Sequence, residues 1–230
     1  MTRLILSVVG FGLLAGCGGT YVFTAPDQIA PVGGEASAVL RLERQEVAFW
    51  YVPARDALVR FQVERSPLRA AFADKNGYAA ATVPVGDTTG IFYLQLAHTT
   101  LRGNEFETYI PTHVWDPRAA VTAVDIDALS YRSKEPRQAA MADLAERSYI
   151  VYFTTRRVGE HAELREKLLR AGYPRGPIVQ RQAGAVELLQ QRFPRFETAV
   201  ARSKKSQRYF ASAGLTVMTL EQTREPANPQ

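Results

Sequence analysis

Apolar and polar residues alternate in several short stretches of the first half of the chain. Between residues 58 and 64, Val59, Phe61 and Val63 share one face, and polar side chains occupy the positions between them. A period of two with one polar face predicts an antiparallel strand that buries one of its sides. Similar stretches predict three further strands, at Val39–Leu42, Ala79–Val83 and Ile91–Ala97.

Turn-forming residues separate these predicted strands. Asn76 and Gly77 form one such turn, because both adopt the positive φ of a tight hairpin at little cost. Several short strands at this spacing predict a β-sandwich that covers residues 21–115. The stretch Asp74–Ala79 also resembles the D-x-x-G-x-A hairpin of bacterial immunoglobulin-like domains, and this resemblance implies a sandwich of that type. A turn without such a relationship is the alternative.

Four aromatic residues of the first half allow two interpretations. Phe49, Trp50, Tyr51 and Phe92 either form an exposed binding face or lie in the core of the sandwich. The core is favoured, because large aromatic side chains supply much of the apolar area that a core buries. We therefore expect most of the four to be buried.

From residue 118 the pattern changes to strands that alternate with helices. Residues 149–153 are apolar throughout, which predicts a strand covered on both faces. Alternating strands and helices predict a mostly parallel sheet with helices on both sides, over residues 118–221. The predicted strands are 121–124, 149–153, 178–179, 198–201 and 215–220, and the predicted helices are 136–147, 160–171 and 183–192. The expected fold class is therefore α+β, with an antiparallel β-sandwich domain followed by an α/β domain.

The first 16 residues carry an export pattern. Arg3 precedes an apolar run from Leu4 to Leu14, and one positive charge before such a run is typical of a secretory signal. The run ends in the letters L-A-G-C at Cys17, which resemble the bacterial lipobox. The resemblance implies cleavage before Cys17, lipid chains on this cysteine, and a short lipidated linker over residues 17–20. An ordinary signal peptide and a short buried helix are the alternatives.

Cysteine content and charge limit the possible disulfides, membrane attachments and partners. Cys17 is the only cysteine, which excludes an intramolecular disulfide. No later apolar run approaches the roughly 20 residues that span a bilayer, so lipid on Cys17 is the expected membrane attachment. Gly18 follows where some lipoproteins have aspartate, and resemblance to enteric lipoproteins then favours the outer membrane of the cell envelope. The net charge of +5 permits an anionic partner, but no nucleic-acid motif is present.

Polar residues follow the predicted strands of the second half. Asp125-Ile126-Asp127 ends one strand, Thr154-Thr155-Arg156 ends the next, and the turn Tyr173–Pro177 comes later. In this order the segments resemble the haloacid dehalogenase superfamily of phosphohydrolases. More narrowly, they are similar to the lipin-like and actin-patch phosphatidate phosphatases, in which a β-sandwich also precedes the catalytic domain. The resemblance covers about 100 residues, from 118 to 221.

The resemblance implies a role for each matching residue. Asp125 would attack phosphorus and form an aspartyl-phosphate, and Asp127 would act as the general acid and base. Residues two apart in an extended segment project the same way, so both carboxylates would reach one phosphate. Thr154 would bind a phosphate oxygen. Mg²⁺ would be the cofactor of an active enzyme, with Asp125 and Asp127 among its ligands.

The chain departs from the family in the third and fourth motifs. No lysine occurs between Lys167 and Lys204, so Arg181 is the only stand-in for the family's lysine. The fourth motif, glycine-aspartate-serine-x-x-aspartate, corresponds to residues 201–206, which read A-R-S-K-K-S. Positive charges in place of acidic residues oppose Mg²⁺ binding, at roughly 1–4 kcal/mol per pair. No cofactor is therefore expected unless the enzyme is active.

These departures predict a catalytically degenerate domain of the haloacid dehalogenase type without a cap domain. The expected function is ligand binding or scaffolding at the envelope, with Thr154, Arg156 and Lys204 binding an anionic ligand or a phospholipid headgroup. A cation that pairs with the aspartates in an internal salt bridge is an alternative. A weak phosphohydrolase and a purely structural lipoprotein are the competing functions. Residues 222–230 are polar and are expected to be disordered.

Overall fold

The computed structural model of this protein describes residues 20–47, 50–126, 129 and 135–224. Cys17, Phe49, Asp127 and most of the predicted tail, residues 225–230, lie outside the described residues. In the described part of the chain, no helix combines the length and the apolar character that crossing a membrane requires.

Two facing sheets form the first half. The first consists of β1 (Tyr21–Thr24), β3 (Glu35–Val47), β4 (Trp50–Pro53) and β7 (Tyr78–Pro84), and the other three strands all pair with β3 antiparallel. The second has the order β2-β9-β8-β5-β6, and only its β2–β9 pair is parallel. Its strands are β2 (Gln28–Pro31), β5 (Leu58–Val63), β6 (Arg69–Phe72), β8 (Gly90–Thr99) and β9 (Glu105–Trp115).

The core of the sandwich lies between these two sheets. Leu40 and Leu42 of β3 meet Phe61 of β5 and Leu94 and Leu96 of β8, and all five side chains are almost fully buried. The alternation predicted for residues 58–64 is confirmed, because Val59, Phe61 and Val63 are buried and their neighbours are not. Burial of side chains this large, at about 25 cal/mol per Å² of apolar area, supplies most of what holds the sheets together.

One end of the sandwich, which we call the Tyr21 end, is where β1 begins, β3 ends and β8 ends. Tyr21 pairs with Arg44 near the end of β3. Its ring also lies 4.7 Å from the ring of His98 and 5.0 Å from that of Phe106, measured between centroids. His98 and Phe106 are paired residues of β8 and β9. The chain therefore enters the sandwich beside two hairpins.

The second half contains a five-stranded parallel sheet in the order β12-β11-β10-β13-β14. Helices α1 and α2 cover one face of β10 and β11, and α3 and α4 cover the other. All five residues of β10 are buried as a result. The strands are β10 (Val121–Asp125), β11 (Tyr149–Thr154), β12 (Ile178–Gln180), β13 (Phe196–Val200) and β14 (Thr216–Met218). The helices are α1 (Glu135–Arg147), α2 (His161–Arg170), α3 (Ala185–Arg192) and α4 (Lys204–Ser212).

The sandwich and the α/β section share a hydrophobic cluster. Ile29 of β2 and Trp115 of β9 pack among the buried residues of α3, α4 and the parallel sheet. The Trp115 ring stacks on Tyr149 at the start of β11, with centroids 4.7 Å apart. Arg192 at the end of α3 donates to the Ile29 carbonyl at 2.9 Å. The amino ends of the parallel strands therefore face the end of the sandwich that is opposite to the Tyr21 end.

The predicted mixture of antiparallel and parallel sheets is confirmed. Every element predicted after residue 118 is present, and its bounds differ by no more than two residues at either end. The expectation of a core position is wrong for Trp50 and Tyr51, which are 64% and 44% exposed because β4 lies at a sheet edge. Phe92 is partly buried against the core, as expected.

Candidate functional site

The carboxyl ends of three neighbouring strands bring the predicted motifs together. β10 lies between β11 and β13 and runs parallel to both. Asp125 ends β10 and Thr154 ends β11, with side chains 1% and 0% exposed. Because parallel strands end at one edge of the sheet, this edge is where ligands of such folds bind.

Arg181 brings a positive charge to Asp125. It follows β12, and its backbone N–H donates to the Thr154 carbonyl at 2.7 Å, which fixes its place at the edge. Its guanidinium Nη1 lies 3.8 Å from Oδ1 of Asp125, and the two side chains are 9% and 1% exposed. At this separation the attraction is about 4 kcal/mol for an effective dielectric constant of about 20.

Helix α4 also contacts the Arg181 guanidinium. Nη1 donates to Oγ of Ser206 at 2.5 Å, and Ser206 is 1% exposed. The guanidinium also lies over the ring of Tyr209, 5.7 Å from the centroid. Arg181 is therefore fixed between the end of β10 and the first turn of α4.

Ser203 begins this helix. Its Oγ accepts a hydrogen bond from the backbone N–H of Ser206 at 3.1 Å and lies 2.8 Å from the Ser206 hydroxyl. Serine is favoured as a helix N-cap because its hydroxyl satisfies a backbone donor that has no partner within the helix. The S-x-x-S spacing therefore both starts α4 and orients the hydroxyl that binds Arg181.

The other predicted binding residues contact partners close to them in the chain. Oγ1 of Thr154 accepts the backbone N–H of Arg156 at 3.1 Å. The Arg156 guanidinium pairs with Glu160 at 3.5 Å, where both side chains are about half exposed. Lys204 is exposed at the start of α4. Of the predicted residues, the described structure therefore joins Asp125 and Thr154 at one edge and leaves Arg156 and Lys204 at the surface.

Sequence reasoning identified Arg181 as a stand-in for a lysine but did not identify Ser206 as its partner. Two signals were available. Ser206 occupies the position that matches the last aspartate of the fourth motif, and it lies three residues after Ser203. A short polar residue at that position is placed to bind whatever cation lies next to Asp125.

A cavity of about 120 Å³ opens beside Asp125. Arg137 of α1 and Arg202, just before α4, line it together with Glu221. The pKa of Glu221 is lowered by a hydrogen bond from its own backbone N–H, by the Thr219 hydroxyl, and by the charges of these two arginines. Two carboxylates, Asp125 and Glu221, and two arginines therefore line the cavity together.

The donors at this edge do not fit Mg²⁺, the ion that the sequence resemblance implies. Among the described residues, no group of three or more His, Cys, Asp or Glu side chains is placed to hold a metal ion. The Arg181 cation lies 3.8 Å from Asp125, and Ser206, its other partner, stands where the resemblance would place an aspartate. Mg²⁺ prefers several oxygen ligands with negative charge, and a guanidinium repels it.

Comparisons with known proteins add little. No protein-family model matches the chain, and no match was found among curated proteins. Among solved structures, the chain is similar to the N-terminal Ig1-2 module of the Drosophila receptor protein tyrosine phosphatase DLAR. That match has 11% identity and a TM-score of 0.29, and it covers 46% of this chain and 59% of that one.

Two further solved structures show similar scores. A bacterial immunoglobulin-like domain of the M. primoryensis ice-binding adhesin matches with 17% identity and a TM-score of 0.24, over 40% of this chain and 99% of that one. Flavohemoglobin from Malassezia yamatoensis matches with 10% identity and a TM-score of 0.26, over 87% and 59%. The chain spans 58% of the tandem Ig repeats of Dlar. Scores this low support no conclusion about a shared function.

Proposed function

We propose that this protein is a lipid-anchored envelope protein that binds a phosphate-bearing ligand without hydrolysing it. In this proposal an immunoglobulin-like sandwich carries a degenerate α/β domain of the haloacid dehalogenase type. One observation carries the proposal: the Arg181 guanidinium contacts both Asp125 and Ser206. By sequence position these two residues match the nucleophile and the last acidic residue of the phosphatase motifs.

The order of the strands supports the phosphatase resemblance. The segments with the first, second and fourth motifs follow β10, β11 and β13, which are direct neighbours. The motifs therefore meet at one edge, as a shared phosphate site requires.

Arg181 takes the place of a metal in this arrangement. In the phosphatase chemistry, Mg²⁺ neutralises the charges of the attacking carboxylate and of the phosphate. Here a guanidinium, which stays protonated, provides one positive charge and already pairs with Asp125. A carboxylate that is held in an ion pair attacks phosphorus less readily, so we expect hydrolysis to be lost.

The cavity beside Asp125 supplies the binding capacity. Arginine binds phosphate oxygens through paired N–H donors, and Arg137 and Arg202 both line the cavity. A volume of about 120 Å³ accommodates a phosphate group but not a large substrate. The ligand class that we propose is a phosphomonoester.

The test compares binding with turnover on the full chain in detergent. Glycerol 3-phosphate is titrated calorimetrically, and phosphatidate in mixed micelles forms a second arm that separates a soluble source of phosphate from a lipid source. We expect binding that Arg202→Gln weakens about tenfold. Lys205→Gln, which removes an exposed cation that does not line the cavity, serves as the control. No binding in either arm, or equal binding by both variants, would refute the proposal.

The second candidate is a diverged phosphohydrolase. The observation in its favour is that Asp125 lines the cavity and is therefore within reach of a bound phosphate. Release of phosphate that depends on Mg²⁺ and disappears in Asp125→Asn would establish this function and exclude the first. Absence of such release would exclude this second function.

The lipid anchor has its own test. Cells that express the chain are labelled with a radioactive fatty acid, and inner and outer membranes are separated. We expect label on the wild type in the outer-membrane fraction, and no label on Cys17→Ser. Labelling that survives this substitution would exclude Cys17 as the attachment point.

A further inference from the structure

Exposed apolar side chains gather at the Tyr21 end of the sandwich. Trp50, at the start of β4, is 64% exposed, and Leu101, in the turn between β8 and β9, is completely exposed. Other exposed apolar residues at this end are Tyr51, Leu58 and Phe72. A single exposed apolar residue needs no explanation, but several at one end of a sandwich indicate an interaction surface.

Hydrogen bonds and ring contacts place the β3–β4 and β8–β9 hairpins next to the start of the described chain. The Thr20 carbonyl accepts the backbone N–H of Gln45 at 2.8 Å, within the β3–β4 hairpin that leads to Trp50. Tyr21 contacts the rings of His98 and Phe106, which flank the turn that carries Leu101. Residue 20 is therefore adjacent to both hairpins.

Chain length then links this end to the membrane. Cys17 precedes Thr20 by three residues, and three residues reach at most about 11 Å when fully extended. This step rests on the proposed function, in which lipid chains on Cys17 are buried in the bilayer. A lipid anchor within that distance of Thr20 holds the Tyr21 end against the surface of the same bilayer.

We infer that the Tyr21 end of the sandwich is a second membrane contact, in which Trp50 and Leu101 insert between lipid headgroups. Tryptophan is suited to this depth, because its ring is mostly apolar and its N–H finds a hydrogen-bond partner among the headgroups. Leucine supplies apolar area that the acyl boundary accepts. Lipid chains and inserted side chains together fix the orientation of the protein, where lipid chains alone would leave it free to tilt.

Tryptophan fluorescence tests this inference directly. The chain contains two tryptophans, and the other, Trp115, is 5% exposed and stacked on Tyr149. The lipidated full chain is reconstituted into vesicles of phosphatidylethanolamine and phosphatidylglycerol that include lipids brominated near the headgroup. We expect bromine to quench about half of the wild-type emission and almost none of the emission of Trp50→Phe.

Two reporter variants in the Trp50→Phe background sharpen the test. Leu101→Trp is expected to regain quenching, because its side chain lies at the same end. Leu188→Trp, at an exposed position of α3 in the α/β section, is expected to remain unquenched. Equal quenching of the wild type and Trp50→Phe, or quenching of the Leu188 reporter, would overturn the inference.

The same samples separate failure of this inference from failure of the anchor. Flotation of the vesicles and the mass of the N-terminal peptide report whether the chain carries lipid. A chain that floats with lipid on Cys17 but shows no quenching of Trp50 contradicts the membrane contact alone. A chain without lipid contradicts the anchor and the inference together.

Discussion

Arg165 of α2 forms an ion pair with Asp27, the residue that precedes β2 in the sandwich. The other carboxylate oxygen of Asp27 accepts the backbone N–H of Ile178 at 2.9 Å, at the start of β12. The Asp27 side chain is 2% exposed. Burial raises its pKa, and the contacts with Arg165 and Ile178 only partly offset this rise. A single carboxylate thus fastens two elements of the α/β section to the sandwich.

We expect Asp27→Ala to lower the free energy of unfolding by about 2–4 kcal/mol. Breaking a buried ion pair costs about 3–5 kcal/mol because the remaining charge loses its partner. We reduce this figure because Arg165 is 29% exposed. Urea unfolding measures the difference.

Glu105→Ala is the matched control for this ion pair. It removes the partner of Arg60 from a pair whose side chains are 37% and 54% exposed. Exposed pairs contribute about 0–1 kcal/mol, so this variant should unfold nearly like the wild type. Equal losses in the two variants would mean that burial does not decide the strength of the Asp27 contact.

Stability should fall as the solution becomes more acidic, in part because of His113 on β9. Burial lowers the pKa of His113 to about 3, and the nearby charge of Arg165 lowers it too. In the unfolded chain a histidine binds a proton near pH 6.5. Between these values the unfolded state holds a proton that the folded state lacks. The free energy of unfolding should therefore fall from about pH 6.5 to pH 3, by up to about 1.4 kcal/mol per unit from this group.

Urea unfolding of the wild type and His113→Gln at several pH values measures this contribution. His161, whose pKa burial also lowers, acts in the same direction, and Asp27 acts in the opposite one. Both groups remain in the variant, so the difference between the proteins isolates His113. A variant with the same slope as the wild type would show that His113 accepts a proton in the folded state.

Loss of the N-cap hydroxyl should weaken α4. Ser203→Ala removes the acceptor of the Ser206 backbone N–H and should cost about 1 kcal/mol of unfolding free energy. Lys205→Ala changes an exposed residue of the same helix and should cost less than about 0.5 kcal/mol. If the two variants unfold alike, Ser203 does not act as a cap.

Gly176 should tolerate no side chain. A Cβ at this position would lie 2.4 Å from the Ile150 carbonyl oxygen and 3.2 Å from the Tyr152 ring. The backbone of β11 would have to move, so we expect Gly176→Ala to cost about 1–3 kcal/mol. Gly159, where a Cβ meets nothing within 4 Å, is the control. Gly159→Ala should leave stability unchanged or raise it by about 0.4–1 kcal/mol. Thermal unfolding of both variants measures these two effects.

Strong patterns predicted the fold where local sequence and tertiary structure agree. The apolar run of β11 and the alternation of β5 mark buried faces that any partner sheet would require. β9 was not predicted, because this 11-residue strand contains Pro111 and two glutamates, and both residue types are uncommon in strands. Proline is unusual within a sheet, since it has no N–H to donate, but Pro111 lies directly before the stretch that β2 joins.

The sequence predicted where Asp125 and Thr154 lie, but not the side-chain contacts of the site. Motif order placed Asp125 and Thr154 at one edge, because parallel strands end together. No local pattern reveals that the side chain of Arg181 reaches across the edge to Asp125 and Ser206, since these contacts join residues 25 or more positions apart. For the same reason, the surface positions of Arg156 and Lys204 depend on neighbours that the sequence does not specify.

The length of the sandwich limits which phosphates can reach the site. β9 is about 33 Å long from the Tyr21 end to Trp115, and β10, which follows it, is about 13 Å long from Val121 to Asp125. If the Tyr21 end lies on the bilayer, the sandwich separates the Asp125 cavity from the headgroups of that leaflet. A lipid phosphate in that leaflet is then out of range. On the proposed function, its ligand then comes from the aqueous space or from a structure that faces the membrane.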